Sequence, residues 1–126
     1  MPRLKTCIVE DSPIILESLV DALEELAPVQ VVATAPDEDS ARRWLVQGEN
    51  PCDLVIVDLF LKGGSGLGVL RALAGSDTPR VVLTNYASPE MRSHCLALGA
   101  DQVFDKSADI DALVAYCQQL AAARPA

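Results

Sequence analysis

Short apolar runs recur along the chain, and four of them finish on polar residues. Cys7-Ile8-Val9 leads into Glu10-Asp11, Leu54-Val55-Ile56-Val57 into Asp58, Val81-Val82-Leu83 into Thr84, and Val103-Phe104-Asp105 into Lys106. Between the runs the hydrophobic period lengthens. Leu16, Leu19, Val20 and Leu23, for example, repeat at i, i+3, i+4 and i+7, which lines one face of a helix. A short apolar run followed by a helical pattern, five times over, predicts an α/β domain with a doubly wound parallel sheet. The strands are expected near residues 5–10, 29–34, 53–58, 80–84 and 102–105.

The helices carry their own punctuation. Ser12 is an expected N-cap with Pro13 at the first helical position, and that helix should end near Pro28. Asp39 or Ser40 opens the second, whose Ala41, Trp44 and Leu45 face inward and whose stop is Gly48. Ser65 begins the third, which carries Leu67, Leu70 and Leu73. Ser88-Pro89 repeats the cap and proline for the fourth, and Gly99 supplies its left-handed end. Asp109 is expected to cap the fifth, with Ile110, Leu113, Val114 and Cys117 as its apolar stripe, and residues 121–126 to fray.

Composition narrows the reading to one domain over 1–126, with an ordered core of about 4–122. Half of the 126 residues are hydrophobic, enough for a single core that removes roughly two-thirds of the unfolded surface from water. No run approaches the ~20 apolar residues of a membrane span, and Met1-Pro2-Arg3-Leu4-Lys5 does not read as a signal peptide. The expectation is a cytoplasmic protein without membrane contact. A net charge of -8 argues against direct binding of nucleic acid. The four cysteines form no Cys-x-x-Cys and have one histidine, His94, for company, so buried free thiols are expected rather than a zinc site or disulfide framework.

If the strands run parallel, their polar ends meet at the carboxyl edge of the sheet, where open α/β sheets place ligands. Two carboxylates ~4 Å apart repel by about 4 kcal/mol at an effective dielectric of 20. Clustering acids therefore points to a hard, oxygen-seeking cation among them, Mg²⁺ above all. With a lysine and a hydroxyl beside it, such a site suits a phosphoryl group. Each residue alone has an ordinary explanation. Asp11 and Ser12 suit a helix start, Asp58 and Thr84 suit strand ends, and Lys106 suits a solvated surface. Their coincidence at four strand ends favours the functional reading. Gly63-Gly64-Ser65-Gly66 lacks the Gly-Lys-Ser/Thr ending of a phosphate-binding loop and reads as a flexible turn. Trp44 reads as core, and His94 as structural or surface.

With Glu10, Asp11, Asp58, Thr84 and Lys106 in this order, the whole chain resembles a receiver domain of the two-component response regulators, of the chemotaxis-regulator type. The resemblance implies a flavodoxin-like fold with strand order 2-1-3-4-5. It implies Asp58 as acceptor of a phosphoryl group from a phosphohistidine, presented by a sensor histidine kinase or a histidine phosphotransfer protein. Asp11 would hold Mg²⁺ directly, Glu10 through water, and Asp58 and the backbone carbonyl of Phe60 would complete the protein ligands. Thr84 and Lys106 would bind the phosphoryl oxygens, with backbone N–H groups near Leu59 and Asn85. Thr84 and an inward-rotating Phe104 would form the switch, although Phe104 reads equally well as a core aromatic. Output would pass through a face of fourth helix, fifth strand and fifth helix to a downstream protein, with phosphorylation-dependent homodimerisation as one form of it. The protein would be a stand-alone signalling switch and not an enzyme, beyond its own phosphorylation and slow dephosphorylation.

Three departures from the family pattern stand out. Asp58-Leu59-Phe60-Leu61-Lys62-Gly63-Gly64-Ser65-Gly66 has Lys62 for the usual proline and Ser65 for a second acid, which is expected to loosen the loop. Asn85 follows Thr84 where a small residue is usual. Ser107 replaces a proline after Lys106, so a cis peptide there would cost ~2.5 to 4 kcal/mol, or else the lysine is presented differently. Phe60 and Tyr86 are expected to flank the access route and slow hydrolysis. The rival readings are a haloacid-dehalogenase-like phosphatase, whose Asp-x-Asp is interrupted by Phe60, a flavodoxin-like electron carrier, and a degenerate receiver that only binds.

Overall fold

A computed structural model describes residues 3–47, 52–85 and 87–123. Among them, five strands alternate with five helices: β1 (Leu4–Val9), α1 (Pro13–Leu26), β2 (Val29–Ala35), α2 (Glu38–Gln47), β3 (Leu54–Val57), α3 (Gly66–Ala72), β4 (Arg80–Thr84), α4 (Pro89–Ala97), β5 (Gln102–Asp105) and α5 (Ile110–Ala123). The strands form one parallel sheet in the order β2-β1-β3-β4-β5. Every strand starts and stops within about a residue of where the apolar runs predict.

Burial follows position in the sheet. Central β3 is buried along its whole length, whereas edge strand β2 alternates buried and exposed residues. Leu4, Ile8, Leu54, Ile56, Val81 and Leu83 face the layer of α1 and α5, where they meet Leu19, Leu23, Leu113 and Cys117. Cys7, Val9, Val55 and Val57 face the opposite layer with Ala41 and Val69, and half-buried Trp44 packs against them. Val82 and Val103 meet Leu70 and Cys95 from α3 and α4. Each fully buried leucine or isoleucine in these layers contributes about 1.5–3 kcal/mol.

The caps largely follow the sequence. Ser12, Ser65 and Ser88 each accept a backbone N–H from the first turn of their helix, and Gly99 takes φ +105° after α4. Two caps differ. Asp37, not Asp39 or Ser40, opens α2: its Oδ1 accepts the Ser40 N–H at 2.7 Å, which leaves Glu38 and Asp39 in the first turn where the helix dipole favours acids. Asp109 precedes α5, but its carboxylate turns back to the Asp105 N–H and to Arg92. The expected stop at Gly48, Tyr86 and residues 124–126 lie outside the described residues. Helix α5 runs on to Ala123, into the stretch expected to fray.

The cysteine expectation is half corrected. Cys95 and Cys117 are free and buried, but Cys7 and Cys52 form a disulfide, with Cα atoms 6.5 Å apart. β1 lies beside β3, with Cys7 opposite Val55, and the stretch just before β3 brings Cys52 to Cys7 across a sequence separation of 45. At the amino edge of the sheet, buried Arg80 donates to the carbonyls of Leu73, Ser76 and Thr78. That fastens the end of α3 to the start of β4, away from the carboxyl edge.

Candidate functional site at the carboxyl edge of the sheet

β1 and β3 lie side by side, so their polar ends are adjacent: the Asp58 N–H donates to the Val9 carbonyl at 2.9 Å. Glu10, Asp11 and Asp58 each bring a carboxylate oxygen within 4.8 Å of the others. Glu10 and Asp58 are 3% and 5% exposed. From the far edge, Lys106 reaches over β4. Its Nζ donates to Glu10 Oε1 at 2.5 Å and lies 3.3 Å from Asp58 Oδ2. The backbone holds this reach, since the Lys106 N–H donates to the Thr84 carbonyl at 2.9 Å. No peptide bond among the described residues is cis. In place of a proline, Asp105 Oδ1 accepts both the N–H and the hydroxyl of Ser107, a side-chain turn that directs the chain away after the lysine.

The electrostatics fit a cluster of like charges held by one cation. Burial pushes the Asp58 carboxyl up; Lys106 pulls it back and the Glu10 charge pushes again, and it ends above the usual carboxylate range. Burial alone would lower Lys106, but its bond to Glu10 and the Asp58 charge more than offset that and leave it raised. Asp11 is also lifted by desolvation, yet the Lys62 N–H at 2.8 Å and a hydrogen bond shared with Glu10 bring it below its ordinary value. Lys106 on Glu10 and Asp58, with the more distant Lys62 charge on Asp11, still leaves three acids with an excess of negative charge, and the donors are all oxygens. That set fits a hard divalent cation such as Mg²⁺.

The acids border a cleft of about 170 Å³, with Ile15, Phe60, Asn85 and Lys106 as the rest of its wall. Phe60 stands at the mouth, 51% exposed, and its N–H approaches Asp58 Oδ1 at 3.4 Å. Behind Asp58 the chain is tight. A Cβ on Gly66 would overlap the Asp58 carbonyl, so only glycine lets α3 begin this close to the site.

Five of the seven expected residues thus meet: Glu10, Asp11, Asp58, Phe60 and Lys106. Thr84 ends β4 as expected but is fully buried and outside the cleft wall. Phe104 is placed elsewhere. Strand alternation puts Leu83 and Phe104 on the α1/α5 side, opposite the side of Val82 and Val103 that Thr84 shares. Phe104 packs there against Tyr116, ring centroids 6.0 Å apart. Ile15 was not singled out by the sequence, where it is one exposed position on a helix. His94 is exposed on the last turn of α4.

The comparisons converge on one family. Residues 6–118 match the family described as response regulator receiver domain. The chain is 31% identical over 116 residues to the acid tolerance regulatory protein ActR of Rhizobium meliloti (strain 1021), covering 90% of this chain and 58% of that protein. It spans 49% of a similar probable transcriptional regulatory protein of Picosynechococcus, so it matches only about half of such relatives' length. The receiver domain of the putative response regulator NarL from Mycobacterium tuberculosis superposes with a TM-score of 0.82 at 21% identity, over 98% of this chain and all of that one. A response regulator from Burkholderia pseudomallei, solved with a phosphorylated aspartic acid and a calcium ion, gives 0.77 at 25% identity over 94% of this chain and 69% of that one. With sheet order, acid cluster and sequence in agreement, the chain belongs to the receiver domain family of the two-component response regulators.

Proposed function

We propose that this domain is a phosphorylation-dependent signalling switch whose acceptor is Asp58. The observation that carries the reading is the convergence of Lys106 on Asp58 and Glu10 inside a cleft whose acids fit Mg²⁺. A carboxylate oxygen of Asp58 attacks the phosphorus of a phosphohistidine. The P–N bond breaks, its electron pair returns to the imidazole, which takes a proton from water, and Asp58 keeps the phosphoryl group as an acyl phosphate. Mg²⁺, held by Asp11, Asp58, the Phe60 carbonyl and, through water, Glu10, would supply positive charge to the phosphoryl oxygens. Lys106 supplies the second positive charge. Glu10 keeps that lysine in place before phosphoryl arrives. The Burkholderia relative, with its phosphorylated aspartic acid and calcium ion, supports the same chemistry here.

The phosphoryl group adds about -1.5 to -2 charges. Lys106 gives up part of its bond to Glu10, and the Thr84 hydroxyl turns to the new oxygens. Because the Lys106 N–H is bonded to the Thr84 carbonyl, the two strand ends respond together. Phe104 carries the change to α5 through Tyr116, and a downstream protein reads it on the face of α4, β5 and α5. The donor, a sensor histidine kinase or histidine phosphotransfer protein, docks in the apolar groove between α1 and α5. Ile14, Ile15, Leu19 and Ile110 line that groove beside Lys106, and Ile15 also borders the acid cleft. No described helix is long and apolar enough to cross a membrane, which fits the proposed place in the cytoplasm.

The test is incubation with Mg²⁺ and acetyl phosphate beside Asp58→Asn. Acid-stable, base-labile label on the wild type alone is expected; label surviving in the variant would refute the assignment. Sustained turnover of phosphate monoesters would favour a phosphatase instead.

A further inference from the structure

The loop after Asp58 lacks the residues expected to stiffen it, yet it is held from three sides. Asp11 Oδ2 accepts the Lys62 N–H at 2.8 Å, and the Gly66 N–H donates to the Leu59 carbonyl at 3.0 Å. The third hold comes from α2. Glu38 Oε1 accepts the Ser65 N–H at 2.9 Å, while the Glu38 N–H donates to the Gly63 carbonyl at 3.0 Å. One turn along α2, Arg42 Nη1 donates to the other carboxylate oxygen at 3.2 Å.

The glycines make room for this side chain. The three atoms nearest a Cβ on Gly68 would all belong to the Glu38 carboxyl, in overlap. A Cβ on Gly64, where φ is +88°, would lie 2.5 Å from Glu38 Cβ and 2.8 Å from Oε1. The sequence shows Gly64, Gly68 and Glu38 as unrelated residues on separate elements; the fold makes them one lock.

We propose that Glu38 is a positioning residue for the acid site: its carboxylate fixes the turn 63–65 and so sets the stretch from Phe60 to Lys62. That stretch contributes the Phe60 carbonyl and the Lys62 N–H that orients Asp11. The inference rests on the reading of the cleft as a Mg²⁺-dependent phospho-acceptor. Glycines lose the most freedom on being ordered, so without Glu38 the turn at Gly63-Gly64 samples many shapes. Only a fraction of them would present the carbonyl and Asp11 together, and apparent ion affinity falls by that fraction.

Three variants test it: Glu38→Ala, Glu38→Gln and Gly68→Ala. Amide hydrogen exchange at Ser65 and Lys62 is read in the metal-free protein. Mg²⁺ alone is then titrated, with the amide shifts of Asp11 and Asp58 as the signal. Phosphorylation by acetyl phosphate is measured at saturating Mg²⁺. Glu38→Ala should speed Ser65 exchange about tenfold, as loss of a charge-assisted hydrogen bond does, and raise the Mg²⁺ midpoint about tenfold. The rate at saturating Mg²⁺ should stay within about twofold, because an ordering cost met by the ion no longer appears in the loaded state. Glu38→Gln keeps an acceptor oxygen and should lie within about threefold of wild type on both counts. Gly68→Ala keeps Glu38 but expels its carboxylate, and alanine favours the helix; it should still match Glu38→Ala. Wild-type midpoints in Glu38→Ala or Gly68→Ala would overturn the inference while leaving the phospho-acceptor reading intact. A wild type whose amides ignore Mg²⁺ would overturn that reading, and the inference with it.

Discussion

Lys106 decides most at the scale of single residues. Among the described residues it is the cation in salt-bridge contact with the acid cluster, and its contacts reach Glu10 and Asp58. Lys106→Ala should still take up phosphoryl from acetyl phosphate, about a hundredfold more slowly, and should lose the change in partner affinity that phosphorylation brings. A normal partner response in that variant would remove Lys106 from the coupling. Asp58→Asn should do the reverse to stability. Burial disfavours ionised Asp58, Lys106 favours it and the Glu10 charge disfavours it again, with a net rise in its pKa, so a neutral isostere relieves the metal-free fold by less than the roughly 4 kcal/mol of two carboxylates ~4 Å apart at an effective dielectric of 20. Urea unfolding without and with Mg²⁺ checks this: the variant starts more stable and gains less from the ion. Identities and order made the acids and Lys106 legible in the sequence. The face occupied by Phe104 also followed from strand alternation, but only once the register pairing Leu83 with Phe104 was known.

Among elements, α2 is the one whose work is least visible in the sequence. Its period-3.6 pattern announces a helix, but the carboxylates at its start act on two different partners. Asp37 caps the helix itself, and Glu38 crosses to Ser65. Both are held below their ordinary values, Asp37 by the Ser40 N–H and hydroxyl and Glu38 by the Ser65 N–H and Arg42. Such groups bind protons more readily when the chain is unfolded, so their stabilisation is complete above about pH 5 and is lost as pH falls through the depressed folded values. The stability advantage of wild type over Glu38→Gln, measured by urea midpoints, should therefore shrink as the solution is acidified. An advantage that grew towards acid would contradict the hydrogen-bond assignment. The expectation that Lys62 and Ser65 loosen the loop did not include the Glu38 hydrogen bond, because that partner sits 27 residues away from Ser65, beyond any local pattern.

Taken whole, the molecule is a sheet whose two faces were legible from alternation and whose carboxyl edge was legible from polar strand ends. What the sequence hid is contact between distant stretches, as the Cys7–Cys52 disulfide illustrates. It arises from β1 lying against β3, and it closes 45 residues of chain. By loop-closure entropy it adds up to about 4 kcal/mol over the reduced protein. Dithiothreitol should lower the urea midpoint of wild type and leave Cys52→Ser unmoved; an indifferent wild type would remove the cross-link from the stability account. The central claim, however, concerns Asp58, and it is tested most directly by reductive trapping. After reaction with Mg²⁺ and acetyl phosphate, borohydride should convert the acyl phosphate to homoserine at position 58, located by peptide mass spectrometry, and nowhere in Asp58→Asn. Homoserine at Asp11 or at another carboxylate instead, or none in a wild type that binds Mg²⁺, would contradict the account.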